Sequence, residues 1–322
     1  MLNVGIIGCG GIGGQHAYAY SQIEDVNLVA LIDFDIKKAE ALVEKYGGKA
    51  YKSIDDVPEK LDLVSVVTPP AAHYPVVMDL LDRGIPVFCE KPITTDVEQA
   101  KELLKKSKET GIQVGLGFKM RYEPVFAKAK ELVGELGELF GLSVAKNQPF
   151  SEDHRSEWIK NTGCMYELSV HDYDLINWIM DAEPVSVNAD LRYSETWVRE
   201  DKAFLDVEYS NGVRAQLMSS YSKDSAWAPN DITMVFTGER GTMRVERPDR
   251  IVLATKDGVK IVDIEPLGGL EVFVVQIKKF IEKLTAGEEY IPGIKDGAIN
   301  TIFIEAANKS HKENKTVTMA EM

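Results

Sequence analysis

The sequence predicts an α/β protein: an N-terminal Rossmann domain on a doubly wound parallel sheet, then a C-terminal α+β domain with an open, mostly antiparallel sheet. Three observations predict it. In the first third, short apolar runs alternate with longer helical patterns, which is the order of a repeated βαβ unit. A glycine-rich loop directly follows the first of those runs. After about residue 120 strand-like segments follow one another, separated by turn residues.

The strand candidates of the first part are residues 2–7, 26–32, 63–67, 87–88 and 113–117, apolar runs without clean alternation, as expected of parallel strands buried on both faces. Thr95 with Glu98 three residues on predicts a capping box, and Gly84 and Gly111 stand where helices end. In the second part a helix is expected over 124–135, a strand near 139–145 and a helix over 165–180. Residues 204–209 and 213–218 flank Ser210-Asn211-Gly212, a hairpin turn signal. Strands at 232–236, 242–245, 251–254 and 259–262 and helices at 269–284 and 294–310 complete the chain.

With 322 residues the chain suits two domains, placed here at 1–120 and 121–322. Hydrophobic residues at 44% and charged residues at 27% are ordinary globular usage and exclude collagen-like or low-complexity chains. A formal charge of −14 repels polyanions, so neither nucleic acid nor a membrane surface is an expected partner. Cys9, Cys89 and Cys164 lie far apart without a Cys-x-x-Cys pair, which indicates no disulfide framework and no cysteine zinc site. No basic leader and no apolar run of about 18 residues is present, so a cytoplasmic protein is expected.

Gly8-Cys9-Gly10-Gly11-Ile12-Gly13 is a G-x-G-x-x-G sequence between the first strand and the first helix. The first glycine permits the tight turn, the second lets backbone approach a pyrophosphate, and the third lets helix and strand pack closely. Asp33 ends the second strand, where a carboxylate accepts both ribose hydroxyls of the adenosine half. A 2′-phosphate there meets like charge, about 4 kcal/mol at ~4 Å and an effective dielectric of ~20. NAD is therefore expected over NADP. The competing reading is that Asp33 merely caps the helix beginning near Ile36.

Glu90-Lys91-Pro92 follows the strand at 87–88, on the sheet edge where open α/β sheets bind ligands. Lys91 there either hydrogen-bonds a substrate oxygen or makes a salt contact with Glu90. Thr68-Pro69 and His73 follow the strand at 63–67 on the same edge, and His73 either lines the cofactor cleft or only begins a helix. Glu167, His171 and Asp174 stand at i, i+4 and i+7, one face of a continuous helix. That face reads as a solvated polar stripe, as a general base held by carboxylates, or as a metal-ligand spacing.

Taken in order, these motifs resemble the glucose-fructose oxidoreductase, inositol dehydrogenase and rhizopine-catabolism family, Gfo/Idh/MocA, along the whole chain. The resemblance rests on the glycine loop, Thr68-Pro69 with His73, Glu90-Lys91-Pro92, Gly117-Phe118-Lys119-Met120-Arg121-Tyr122, the His171 and Asp174 helix, and Phe236-Thr237-Gly238-Glu239-Arg240-Gly241-Thr242. It implies that Lys91 and His171 face the substrate, and that the open sheet makes a homodimer or homotetramer interface. The chain departs at Glu167, where inositol dehydrogenases have Asp, and at Gly163-Cys164-Met165, where the family is richer in glycine.

The reading that follows is an NAD-dependent oxidoreductase acting on a secondary alcohol of a sugar, cyclitol or related polyol. Lys91 and His171 are the expected catalytic pair and Arg121, Tyr122, Glu167 and Asp174 the substrate-binding residues. Gly8, Gly10, Gly11, Ile12, Gly13, Asp33, Thr68, Pro69, His73, Glu90 and Lys91 are expected around the cofactor, and no metal is expected. The rivals are an NAD-dependent redox-elimination lyase or glycosidase and, from another class, a non-catalytic NAD-binding regulator.

Overall fold

The structure, a computed structural model, describes residues 1–152, 156–222 and 231–322. The chain divides into two compact units, Met1–Lys119 with Leu267–Thr301 and Met120–Pro266 with Ile302–Met322. The chain leaves the first unit after Lys119, returns to it at Leu267 and goes back to the second at Ile302. The helix Glu271–Ala286 buries Val272, Phe273, Ile277, Phe280 and Ile281, and Phe280 meets Phe88 and Tyr290 at ring distances of 5.3 and 5.0 Å. Each buried apolar side chain of this size is worth roughly 1.5–3 kcal/mol, which returns the segment to the first unit.

The first unit carries β1 (Leu2–Ile7), α1 (Gly11–Ser21), β2 (Val26–Ile32), α2 (Ile36–Tyr46), β3 (Lys49–Tyr51), β4 (Leu63–Val66), α3 (His73–Asp82), β5 (Val87–Cys89), α4 (Val97–Thr110) and β6 (Val114–Leu116). Its six strands are ordered β3-β2-β1-β4-β5-β6, and every pair is parallel. The order reverses beside β1, the switch point at whose carboxyl edge ligands bind. Three local readings change. β3, Lys-Ala-Tyr, has no apolar run to announce it. Asp35 caps α2 by accepting from Lys37 N, so Asp33 is not the cap. Asp96, not Thr95, caps α4 by accepting from Gln99 N.

The second unit contains α5 (Pro124–Leu132), β7 (Leu139–Pro149), α6 (Ser156–Cys164), a π-helical turn over Met165–Ser169, α7 (Val170–Met180) and β8 (Pro184–Arg192). β9 (Lys202–Tyr209), β10 (Arg214–Ser222), β11 (Asp231–Gly238), β12 (Gly241–Glu246), β13 (Arg250–Thr255), β14 (Gly258–Asp263) and β15 (Val317–Thr318) follow. They form a nine-stranded sheet, β14-β13-β12-β11-β7-β10-β9-β8-β15, antiparallel except between β7 and β10. One face is apolar and buried, with Leu142 and Val144, Leu205 and Val207, Ala215 and Leu217, and Met234 and Phe236 in adjacent strands. Gly212, at φ +83°, turns the β9–β10 hairpin where Asn-Gly predicted it.

Candidate active site

The glycine loop connects β1 to α1. Gly8 has φ +102°, and a β-carbon on it would lie 2.7 Å from the Val67 backbone; one on Gly13 would lie 2.1 Å from the Gly8 carbonyl oxygen. Nothing lies within 4 Å of the β-carbon positions of Gly10 and Gly11. No side chain caps α1, and its first turn holds no acid, so its leading N–H groups suit a pyrophosphate. Ile12 is exposed there. The Asp33 carboxylate accepts from Cys9 N at 2.8 Å through Oδ2 and from Asp35 N at 2.9 Å through Oδ1, which ties the end of β2 to the glycine loop. Burial, and then Asp33, push the Cys9 thiol up to about 12, so it is neutral.

Two more loops leave the same edge of the sheet. Thr68-Pro69 follows β4, and His73 opens α3 with its ring buried. His73 Nδ1 lies 2.7 Å from the Pro92 carbonyl and Nε2 lies 2.8 Å from the Thr68 carbonyl. Burial lowers its pKa. His73 therefore sits between the loops after β4 and β5, its neutral ring donating one N–H to one of the two carbonyls. Glu90 Oε1 lies 3.2 Å from His16 Nε2, and its Oε2 accepts from Lys91 N at 3.3 Å. Burial raises the Glu90 carboxyl, but His16, Lys91 and Lys119 outweigh it and hold it below the ordinary range. A β-carbon on Gly117 would strike Glu90 Oε1 at 2.5 Å, so that glycine makes room for the acid. Lys91 itself is half-buried.

In the second unit the expected continuous helix over 165–180 is broken. Gly163, at φ +83°, ends the regular turn of α6, and the π-helical turn precedes α7. A π-turn inserts one residue into the helical ladder, so Glu167 and His171 do not share one unbroken α-helical face. The solvated polar stripe is absent as well. His171 is 9% exposed and Asp172 and Asp174 are 1% exposed each. Asp174 accepts two bonds from Arg121, 2.7 Å from Nε and 2.5 Å from a terminal nitrogen, and the Arg121 guanidinium lies over the Trp178 ring at 5.8 Å. Both partners are buried, and the pair ties Arg121 to α7. Glu167 and Tyr122 are half-buried.

Residues 2–118 match the oxidoreductase family with an NAD-binding Rossmann fold, and residues 126–244 match the GFO/IDH/MocA C-terminal domain. The chain belongs to the GFO/IDH/MocA oxidoreductase family. It is 28% identical to inositol 2-dehydrogenase of Rhizobium meliloti over 99% of each chain. It is 25% identical to the NAD-dependent scyllo-inositol 2-dehydrogenase of Bacillus subtilis over 98% of this chain and 95% of that one. In fold it resembles a myo-inositol dehydrogenase from Corynebacterium glutamicum, with a TM-score of 0.82 and 24% identity over 99% of this chain and 98% of that one.

Residues 2–118 are thus the family's NAD-binding domain, and they carry the glycine loop, the uncapped α1 and Asp33. Sequence reading missed three groups in the second unit. Lys146, 2% exposed, lies 3.3 Å from Asp172 Oδ1. Arg247 grips Glu123 through two bonds of 2.6 and 2.8 Å. Glu200, 1% exposed, accepts from Met165 N at 2.9 Å, at the mouth of the π-turn. Lys146 had a signal: it falls on the buried period-2 row of Leu142 and Val144, and a cation there needs a partner. Among the described residues no group of three or more His, Cys, Asp or Glu is arranged to hold a metal, and no helix is long and apolar enough to cross a membrane.

Proposed function

We propose that the protein is an NAD-dependent dehydrogenase that oxidises a secondary alcohol of a cyclitol, sugar or related polyol, or reduces the corresponding ketone. The observation that carries this reading is a glycine loop with no room for a β-carbon at Gly8 or Gly13, in one chain with Lys91 after β5 and a buried His171 on a helix anchored by ion pairs. The inositol dehydrogenase relatives support the substrate class. NAD, when bound, supplies the hydride acceptor. The chain handles the proton and the charge. His171 takes the hydroxyl proton, and Lys91 donates to the same oxygen and stabilises its developing negative charge. Glu167 and Tyr122 orient substrate hydroxyls, while Arg121 and Asp174 hold α7.

Lys91→Met and His171→Ala test these roles. Each is expected to cut turnover by about two orders of magnitude or more, since acid-base assistance is worth ~10² to ~10⁴, with NAD affinity nearly intact. The double variant loses less than the product of the two, because both groups serve one transition state. Near-normal turnover in either single variant removes that residue from the mechanism. The proposal extends to a reducing, cytoplasmic setting, which three buried free cysteines suit, and to self-association through the open face of the second sheet. That face carries Phe204, Val259 and Ile261, exposed at 42%, 69% and 61%.

A further inference from the structure

The buried charges around α7 touch no substrate in the proposed chemistry, yet burying them is costly. Lys146 reaches Asp172 from β7, and Arg121 reaches Asp174 from the 3-10 turn Lys119–Tyr122. At about 100° per residue, Asp172 lies about 100° to one side of His171 around the helix axis and Asp174 about 60° to the other. The two carboxylates therefore bracket the imidazole, and each is held by a cation rooted in a different element. Apolar packing is non-directional, whereas a charge-assisted hydrogen bond fixes direction. One such bond leaves a helix able to turn about that point; two on opposite flanks stop it.

We propose that Lys146 and Asp172 are positioning residues for His171: with Arg121 and Asp174 they lock the rotation of α7 and so aim the imidazole. Lys146 faces Arg247 and Glu123 as well as Asp172, and Asp172 also faces Ser169 and Arg247. Burial raises the Asp172 carboxyl and lowers the Lys146 ammonium, with the pair's mutual attraction opposing both shifts. Losing one partner strands a charge, while replacing both by apolar groups of similar size is tolerated. This makes Lys146→Met/Asp172→Leu the informative variant.

The inference rests on His171 being the base, so its test includes a readout that needs no turnover. Nitrogen-15 spectra of the full protein follow His171 through a pH titration, its signal assigned with His171→Ala among only five histidines. In Lys146→Met/Asp172→Leu the His171 signal is expected to shift and broaden and its titration midpoint to move, while Lys146→Arg keeps the wild-type signal. Turnover of the double variant falls about ten-fold or more with KM for NAD unchanged, while Lys146→Arg, which keeps a cation opposite Asp172, retains most of it. If the double variant does not fold, Lys146→Met/Asp172→Asn, which leaves neither charge and keeps the shape of the Asp172 side chain, is read in the same way. A wild-type His171 titration in a folded variant overturns the inference. Inactivity of the wild-type protein on every polyol overturns the proposed function instead, and the spectra still judge the positioning role.

Discussion

The Asp33 carboxylate already accepts one backbone N–H through each of its oxygens. An ionised carboxylate offers about four lone-pair sites, so each oxygen keeps capacity for a ribose hydroxyl. In the proposed reading, recognition and loop geometry are thereby joined in one side chain. Changing Asp33→Ser is expected to narrow the preference for NAD over NADP and also to weaken NAD itself, because the tie from β2 to Cys9 is lost. Calorimetric titration with both cofactors checks this. An unchanged ratio of affinities would mean that Asp33 does not read the ribose. The glycine loop was legible because each excluded β-carbon leaves a glycine in the sequence. The placement of His73 between the Thr68 and Pro92 carbonyls was not, because backbone acceptors carry no residue code.

At the scale of elements, legibility followed the length and regularity of the pattern. The first two strands and the β9–β10 hairpin follow apolar runs and an Asn-Gly turn. β8 carries Val187, Ala189 and Leu191 on its buried face, a period-2 signal readable in the sequence. The π-turn over Met165–Ser169 had no such signal, since its residues fit an α-helix locally and tertiary contacts decide. One of those contacts is Glu200, whose Oε1 holds Met165 N and whose Oε2 has no hydrogen-bond partner among the described residues. Burial pushes this carboxyl up to about 7. The folded state therefore binds the proton more tightly than the unfolded chain, whose carboxyl titrates near 4.5. The contribution to stability is fully present below about 4.5 and is lost as pH rises through about 7. Thermal melts of wild type and Glu200→Gln across this range should show the wild type losing Tm relative to the variant as pH rises. Parallel curves would mean that Glu200 titrates normally.

For the whole molecule, the open sheet face predicts assembly. Strand register pairs Ile261 with Val252, Val259 with Ala254 and Phe204 with Met218, which places apolar side chains opposite the buried rows. Sedimentation should report a dimer or larger species for the wild type and a smaller one for Phe204→Asp/Ile261→Lys, since charges at the centre of an apolar interface cost several kcal/mol. Identical sedimentation of the two would move the interface elsewhere. The proposed reaction is net hydride transfer from a polyol alcohol, with Lys91 and His171 serving the oxygen. The most direct measurement incubates the protein with NAD and a panel of cyclitols, sugars and sugar acids while NADH absorbance and product are followed together. NADH and ketone are expected to accumulate one for one with at least one polyol, and at least about a hundred-fold more slowly in Lys91→Met/His171→Ala. Product that forms without net NADH, or no reduction of NAD by any member of the panel, would contradict it.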